Sequence, residues 1–331
     1  MRVLIVHDRV DESSSVDAAD ALVQARLISE HLRGQGHNVR TLGATLDLGA
    51  VTDELASCDL VVNLVESLDG KGSLIHLVPA VIEAAGCPMT GCPWRAIADT
   101  SDKLAAKRAM RAHDIATPDW IEAGDDAPNA GRWIVKSVWE HASIGIGQHS
   151  VVDASSCDVA ERMESMRDSL GGAALAERFI DGREFNLSML EIDGAPVVLP
   201  PAEIRFVGYD DDRPKIVDYA AKWDESSHAY HNTPRVFEFD ARDAPLLTRL
   251  RSICMQCWDV FGLRGYARVD FRVDEDATPW VLEVNSNPCL SPDAGFMAAA
   301  ERHGLSCAEV IDHLVAAALA TRRGAPASRA R

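Results

Sequence analysis

The sequence contains no apolar run approaching the roughly 18 residues of a membrane-spanning helix, which argues against an integral membrane protein. It also lacks basic excess: 33 Lys and Arg stand against 51 Asp and Glu, for a net charge of −18. Broad attraction to nucleic acid or an anionic membrane is therefore not expected, and an anionic ligand would need a local basic cluster or a metal ion. No GxGxxG follows the first strand-like segment, so a dinucleotide-binding reading has little support. The opening MRVLIVHD is a strand pattern with charge entering at Asp8, too short for a signal-peptide core. Eight cysteines without an export signal suggest reduced thiols in the cytoplasm. Only Cys254 and Cys257 form a CxxC, and a second pair at metal-site spacing is missing, so packing inside a helix is the expectation for both.

What is present suits a soluble globular protein. A chain of 331 residues has room for two or three domains, and 47% hydrophobic with 25% charged residues is ordinary. Residues 2–7, 37–42 and 60–64 read as strands and 16–32 as a helix, the alternation of a parallel sheet. Such sheets place ligands beyond the carboxyl ends of their strands, which nominates 7–15 and 63–73 as substrate loops. A helix is predicted to start at Thr100 or Ser101. Lys103 in its first turn is disfavoured by the helix dipole unless an anionic partner lies near. The strand over 132–138 carries Lys136 among apolar residues, where a lysine needs a partner or a ligand. The small residues of EHASIGIG (140–147) let backbone amides approach phosphate, although a plain hairpin has the same composition.

Further along, 155–170 reads as a serine-capped helix, 174–180 as a strand and 185–198 as a hairpin about Asp193-Gly194. Residues 216–235 show no clear period and are long for a structureless connection, which favours a lid. Helices are expected over 246–262, 294–303 and 306–322, the last with a capping box at Ser306 and Glu309. GAPASRAR closes the chain as a short disordered tail.

The most informative stretch is YARVDFRVDEDATPWVLEVNSNP, residues 266–288. Two alternating segments flank the polar turn DEDATP. If Val273 faces Trp280, then Phe271 faces Leu282 and Val269 faces Val284, giving one apolar face. On the other face Asp270 opposes Glu283 and Arg268 opposes Asn285. Two carboxylates at about 4 Å repel by roughly 4 kcal/mol at an effective dielectric near 20. A shared proton, neutralisation by Arg268 or a solvated outer face could each offset this. So could a divalent cation, and Asp, Glu and Asn offer only the hard oxygen ligands that suit Mg²⁺ carrying a phosphate.

RVDFRVDEDATPWVLEVNSNP resembles the metal-binding signature of ATP-grasp ligases, and specifically of the D-alanine–D-alanine ligase group. NLVESLDGKGSLIHLVPAVIEAAGCPMTG, Lys103, Lys136 with EHASIGIG, and AERFIDGREF extend the likeness over most of the chain. The resemblance implies an α/β fold, α+β in its ATP-grasp part: an N-terminal parallel-sheet domain (1–97) followed by a two-part ATP-grasp fold (98–184 and 185–322), with 323–331 as the tail. It implies ATP and Mg²⁺ or Mn²⁺ as cofactors. Lys103, Lys136 and the loop at Ser143 would meet phosphates, and Lys222 the terminal phosphate. Glu177 and the backbone of Phe179 and Ile180 would hold adenine, and Glu184 the ribose. Asp270, Glu283 and Asn285 would hold the metal, and Arg268 would stabilise a developing oxyanion. The implied activity is ATP-dependent ligation of two small-molecule amino acids, by a protein that belongs to a commonly dimeric family, with no nucleic-acid or membrane partner. An ATP-grasp regulator that binds nucleotide without turnover is the alternative.

The departures fall in the substrate pocket. Ala142 stands where a serine is usual and Trp223 where a tyrosine is usual. Cys289 replaces a metal-loop glycine, and Ala294-Gly295 a serine-leucine pair. The N-terminal loop is longer than is usual, which leaves the place of its acidic residue open, with Asp17 as one candidate. A dipeptide ligase of the D-alanine–D-alanine type, or a close relative using other amino acids, is therefore expected.

Overall fold

The computed structural model describes residues 1–11, 16–141, 143–155, 158–210 and 213–324, without the side chains of 16–18 and 322–324. β1 (Arg2–Asp8), α1 (Val16–Gly34), β2 (Asn38–Ala44), α2 (Leu48–Leu55) and β3 (Leu60–Leu64) open the chain. The three strands form a parallel sheet in the order β2-β1-β3. Alternation along β1 sends Val3 and Ile5 to one core, and Leu4 and Val6 to another. Ala21, Ala25, Ile28 and Leu32, at helical spacing on α1, are all buried.

α3 (Leu77–Ala84), α4 (Trp94–Ser101) and α5 (Lys103–Ala112) follow. Here the expected helix start was misplaced. Thr100 and Ser101 end α4, and Asp102 is the joint, its carboxylate accepting from Leu104 N at 2.9 Å and Ala105 N at 3.0 Å to cap α5.

β4 (Trp120–Ile121), β5 (Arg132–Ser137), β6 (Val151–Asp153) and β7 (Ala174–Arg178) form an antiparallel sheet in the order β4-β7-β5-β6, backed by α6 (Val159–Met166). α6 is shorter than the expected 155–170 segment. Its cap is Asp158 rather than a serine, accepting from Glu161 N at 3.0 Å.

β8 (Arg183–Ile192), β9 (Ala195–Val198), β10 (Ala202–Ile204), α7 (Tyr219–Trp223), α8 (His228–His231), β11 (Arg235–Val236), α9 (Ala244–Phe261), β12 (Tyr266–Val273) and β13 (Pro279–Asn285) follow, and their strands build the largest sheet, in the order β11-β10-β8-β12-β13, with β9 also on β8. The β8–β9 turn takes Asp193 and Gly194 through positive φ, as the Asp-Gly pair predicts. α9 lays Leu250, Cys254, Cys257 and Phe261 against Phe185, Leu187, Val269 and Phe271. The CxxC thiols are core groups, and burial pushes that of Cys257 up to about 12. α10 (Gly295–His303) and α11 (Cys307–Gly324) complete the fold. Ser306 N donates to Glu309 Oε2 at 2.8 Å and Glu309 N to Ser306 Oγ at 3.3 Å, the predicted capping box. α11 runs past the expected boundary at 322, and the expected tail from 325 on lies outside the described residues. Among the described residues no single helix is long and apolar enough to cross a membrane.

The hairpin register holds at one end and slips at the other. Arg268 pairs with Asn285, Val269 with Val284 and Asp270 with Glu283, as expected. Beyond them a bulge shifts the ladder, so Phe271 faces Val281 and Val273 faces Pro279. Leu282 is the extra residue, and in a bulge the strand no longer alternates. It joins Glu283 on the cleft side while Val281 takes the core position.

Candidate active site

A cleft of about 720 Å³ runs between the sheet of β5 and β7 and the sheet of β8 and β12, with the 216–235 segment along its rim. It brings together Lys103, Lys136, Ser143, Glu177, Phe179 and Ile180. Glu184, Lys222, Arg268, Asp270, Glu283 and Asn285 line the same cleft. These residues come from several separate elements of the chain.

At one end two lysines hold one carboxylate. Lys107 on α5 reaches Glu177 Oε2 at 2.8 Å and Lys136 bonds the other oxygen. Lys107 also donates to Thr117 Oγ1 at 2.8 Å and Pro118 O at 3.1 Å. Burial would raise the Glu177 carboxyl, but Lys107 and Lys136 hold it down to about 2. Phe179 follows β7 with the Arg132 guanidinium 4.6 Å and that of Arg272 5.7 Å from its ring centre. Its amide is committed to Arg132 O at 2.9 Å. Glu184 pairs with Arg272 at 2.8 Å, and its carboxyl is raised by burial against the opposing pull of that arginine.

The middle of the cleft carries the facing acids. Asp270 accepts from Arg268 Nε at 2.7 Å and Nη2 at 2.8 Å, and from Asn186 Nδ2 at 2.8 Å. Glu283 lies 2.9 Å from His141 Nδ1. Burial would raise the Glu283 carboxyl, yet Lys103, His141 and Lys222 keep it well below the usual range. Protein cations therefore balance the two acids, and their proximity alone does not require a metal. The fit to a hard cation rests instead on the donor set, two carboxylates and the Asn285 amide oxygen on one cleft wall. Among the described residues no group of three or more His, Cys, Asp or Glu could hold a metal ion.

Lys103 donates to Glu140 O at 2.7 Å, and burial lowers its ammonium while Glu283 opposes. The 140–147 loop and the rim are joined. Ser143, at φ +62°, donates to Val217 O at 2.8 Å, and Tyr219 N donates to Ile146 O at 3.1 Å. The rim is not structureless: α7 and α8 occupy it, and α7 presents Lys222 to the cleft, where burial and Arg268 lower its ammonium.

At the far end Glu66 and Asp20 line the wall. Asp8 anchors this loop, accepting from Glu66 N at 2.7 Å and Ser67 Oγ at 2.6 Å. Asp20 accepts from Gln24 Nε2 at 3.1 Å, Ser291 Oγ at 2.5 Å and Cys289 Sγ at 3.0 Å, tying α1 to the segment after β13.

A family model described as D-ala D-ala ligase C-terminus matches residues 132–316. The chain belongs to the D-alanine–D-alanine ligase family. A D-alanine–D-alanine ligase of Synechococcus sp. is 30% identical, over 94% of this chain and 94% of that protein. One from Acidiphilium cryptum is 29% identical, over 88% of this chain and 89% of the other. The D-alanine–D-alanine ligase of Bacillus anthracis complexed with ATP superposes with a TM-score of 0.74, covering 98% of this chain and 99% of that one. At 18% identity that likeness is one of fold.

Several residues in or directly behind the cleft of this ligase-family member carry weaker signals in the sequence. Lys107 lies one helical turn after Lys103, and that spacing was its signal. Arg272 continues the alternation of Arg268 and Asp270 on one strand face. His141, Asp20 and Arg235 had no periodic signal. The side chain of Asp17 and all of Ala142 lie outside the described residues, whereas Trp223, Cys289, Ala294 and Gly295 line the cleft.

Proposed function

We propose that this chain is an ATP-dependent carboxylate–amine ligase that joins two amino acids through an acyl phosphate, with a substrate pocket altered from that for two D-alanines. One observation carries the reading. The facing pair Asp270 and Glu283 opens into one cleft with Lys103, Lys136 and Lys222. The altered pocket is inferred from Trp223, Cys289, Ala294 and Gly295.

In this reading Phe179 and Ile180 border the adenine. The Phe179 amide is already bonded, so its carbonyl is the atom left to accept from the base. Glu184 takes the ribose hydroxyls, and the 140–147 loop at Ser143 with the three lysines takes the phosphates. Asp270, Glu283 and Asn285 would hold Mg²⁺ or Mn²⁺, which when bound supplies charge neutralisation at the phosphate oxygens. A carboxylate oxygen of the first amino acid attacks the terminal phosphorus, and ADP leaves with the electron pair of the broken bond. The amine of the second attacks the acyl carbon, phosphate departs, and the nitrogen loses a proton. Lys103, Lys136 and Lys222 offset the charge moving with the phosphoryl group. Arg268 stabilises the oxyanion that develops on the acyl oxygen. The α7–α8 rim keeps water from an acyl phosphate that hydrolyses readily. A cytoplasmic setting and a homodimer accompany this reading, and light scattering tests the latter.

The test is to incubate the protein with Mg²⁺, ATP and pairs of D- and L-amino acids. ADP and phosphate release that needs both partners, with a dipeptide mass, is the expected outcome. ATP binding with no pair stimulating release would assign a regulator instead.

A further inference from the structure

Three arginines line the cleft, and two of them are matched by carboxylates: Arg268 by Asp270 and Arg272 by Glu184. Arg235 has no carboxylate within ion-pair distance among the described residues. Its one hydrogen bond there is from Nη1 to Asp293 O at 2.8 Å. A guanidinium carries five N–H donors in a planar fork, so most of this one is unused. The residue remains exposed, open to an incoming ligand.

Its position says which ligand. Arg235 starts β11, just after the α7–α8 rim. Its electrostatic neighbours are Arg268, Asp293, Cys289 and Tyr230, none of them at the Glu177–Phe179 end assigned to adenine. Arg268 lies near enough to repel it, so an anion placed here would relieve that repulsion. The start of α10 packs beside it, and a Cβ on Gly295 would lie 3.5 Å from Arg235 Nε. Ala294 and Gly295 bring no side-chain acceptor to compete for the fork. A planar cation with free donors, beyond the phosphoryl-transfer centre and flanked by small residues, is built for a carboxylate.

We propose that Arg235 is a specificity-determining residue that recognises a carboxylate on the amine substrate, so that the ligase selects an amino acid over an amine lacking that group. This rests on the ligase reading above. The acid-to-carboxamide preference is the diagnostic property, because a merely structural arginine would not control it.

The experiment compares wild type, Arg235→Met and Arg235→Lys in the full chain. Each is assayed with the second amino acid and with its carboxamide. Arg235→Met is expected to raise the KM of the second amino acid about ten- to a hundredfold and to erase the preference for acid over carboxamide. The KM values for ATP and the first amino acid should stay within about twofold, and Arg235→Lys should fall between the two proteins. A retained acid preference in Arg235→Met overturns the assignment, as does an equal rise in the KM for ATP. If wild type ligates no pair, the ligase reading fails by itself. Calorimetric binding of amino acids and their carboxamides, with a non-hydrolysable ATP analogue present, then decides the role of Arg235. Loss of the acid preference in Arg235→Met supports recognition, and identical preferences refute it.

Discussion

Replacing Lys107 by Met removes the more influential of the two cations that hold Glu177. In the native protein the carboxyl lies at about 2 rather than its ordinary 4.5, a displacement worth about 3 kcal/mol of preferential stabilisation of the charged form. Lys136 remains in the variant, and the desolvation of Lys107 is itself relieved. The expected loss at pH 7 is therefore about 2 kcal/mol rather than the full amount. Because the folded-state value is depressed, this stability is present above the unfolded value near 4.5 and drains away as pH falls toward 2. The gap between wild type and Lys107→Met should narrow over that window. Urea unfolding at pH 7 and at steps below 4.5, followed by circular dichroism, measures both effects. A variant within about 0.5 kcal/mol of wild type at pH 7, or a gap that widens in acid, would refute the account of Glu177 as a carboxylate held by two lysines.

Glu283→Gln should abolish ADP release while leaving the far-ultraviolet spectrum unchanged, and unaltered turnover would count heavily against its place at the phosphoryl-transfer centre. Gly182→Ala should be severely destabilising. The residue sits at φ +143°, and an added Cβ would fall 2.0 Å from Val273 O, a backbone atom that cannot swing away. A drop in the unfolding midpoint, or loss of soluble protein, checks this, and a variant as stable as wild type would sink it. Arg272→Met should leave Glu184 buried without its partner and raise that carboxyl further, so that nucleotide affinity falls as pH drops sooner than in wild type. Calorimetric titration across pH 5 to 8 (a range of about three units) reads that change.

Most of the elements were legible because their signals are local. The buried run of β1, the Asp193-Gly194 turn and the Ser306–Glu309 box each announce themselves within a few residues. The pairing of Asp270 with Glu283 agrees with the expectation although its starting pair does not: Val273 faces Pro279 rather than Trp280, and the bulge at Leu282 restores the expected register beyond it. That slip was not legible, because no glycine or proline marks it and its cause lies in packing around the hairpin. Asp102 was overlooked as a cap because Thr100 and Ser101 beside it carry the same chemistry. His141 and Arg235 had no local signal, since both sit on irregular or very short segments whose directions depend on elements distant in sequence.

The extra residue on β13 has a further consequence for how this hairpin tolerates change. Between the DEDATP turn and the acidic pair, the ladder already absorbs an offset of one position. Lengthening or shortening the turn by a residue can be taken up there, as in a slip joint. Glu283 then keeps its orientation, whereas in a uniform ladder a one-residue slip of β13 would have turned it toward the apolar interior; Asp270 is held in place by the pairing of β12 with β8. The turn is thus free to drift in length and composition while the chemistry two or three residues away stays aimed.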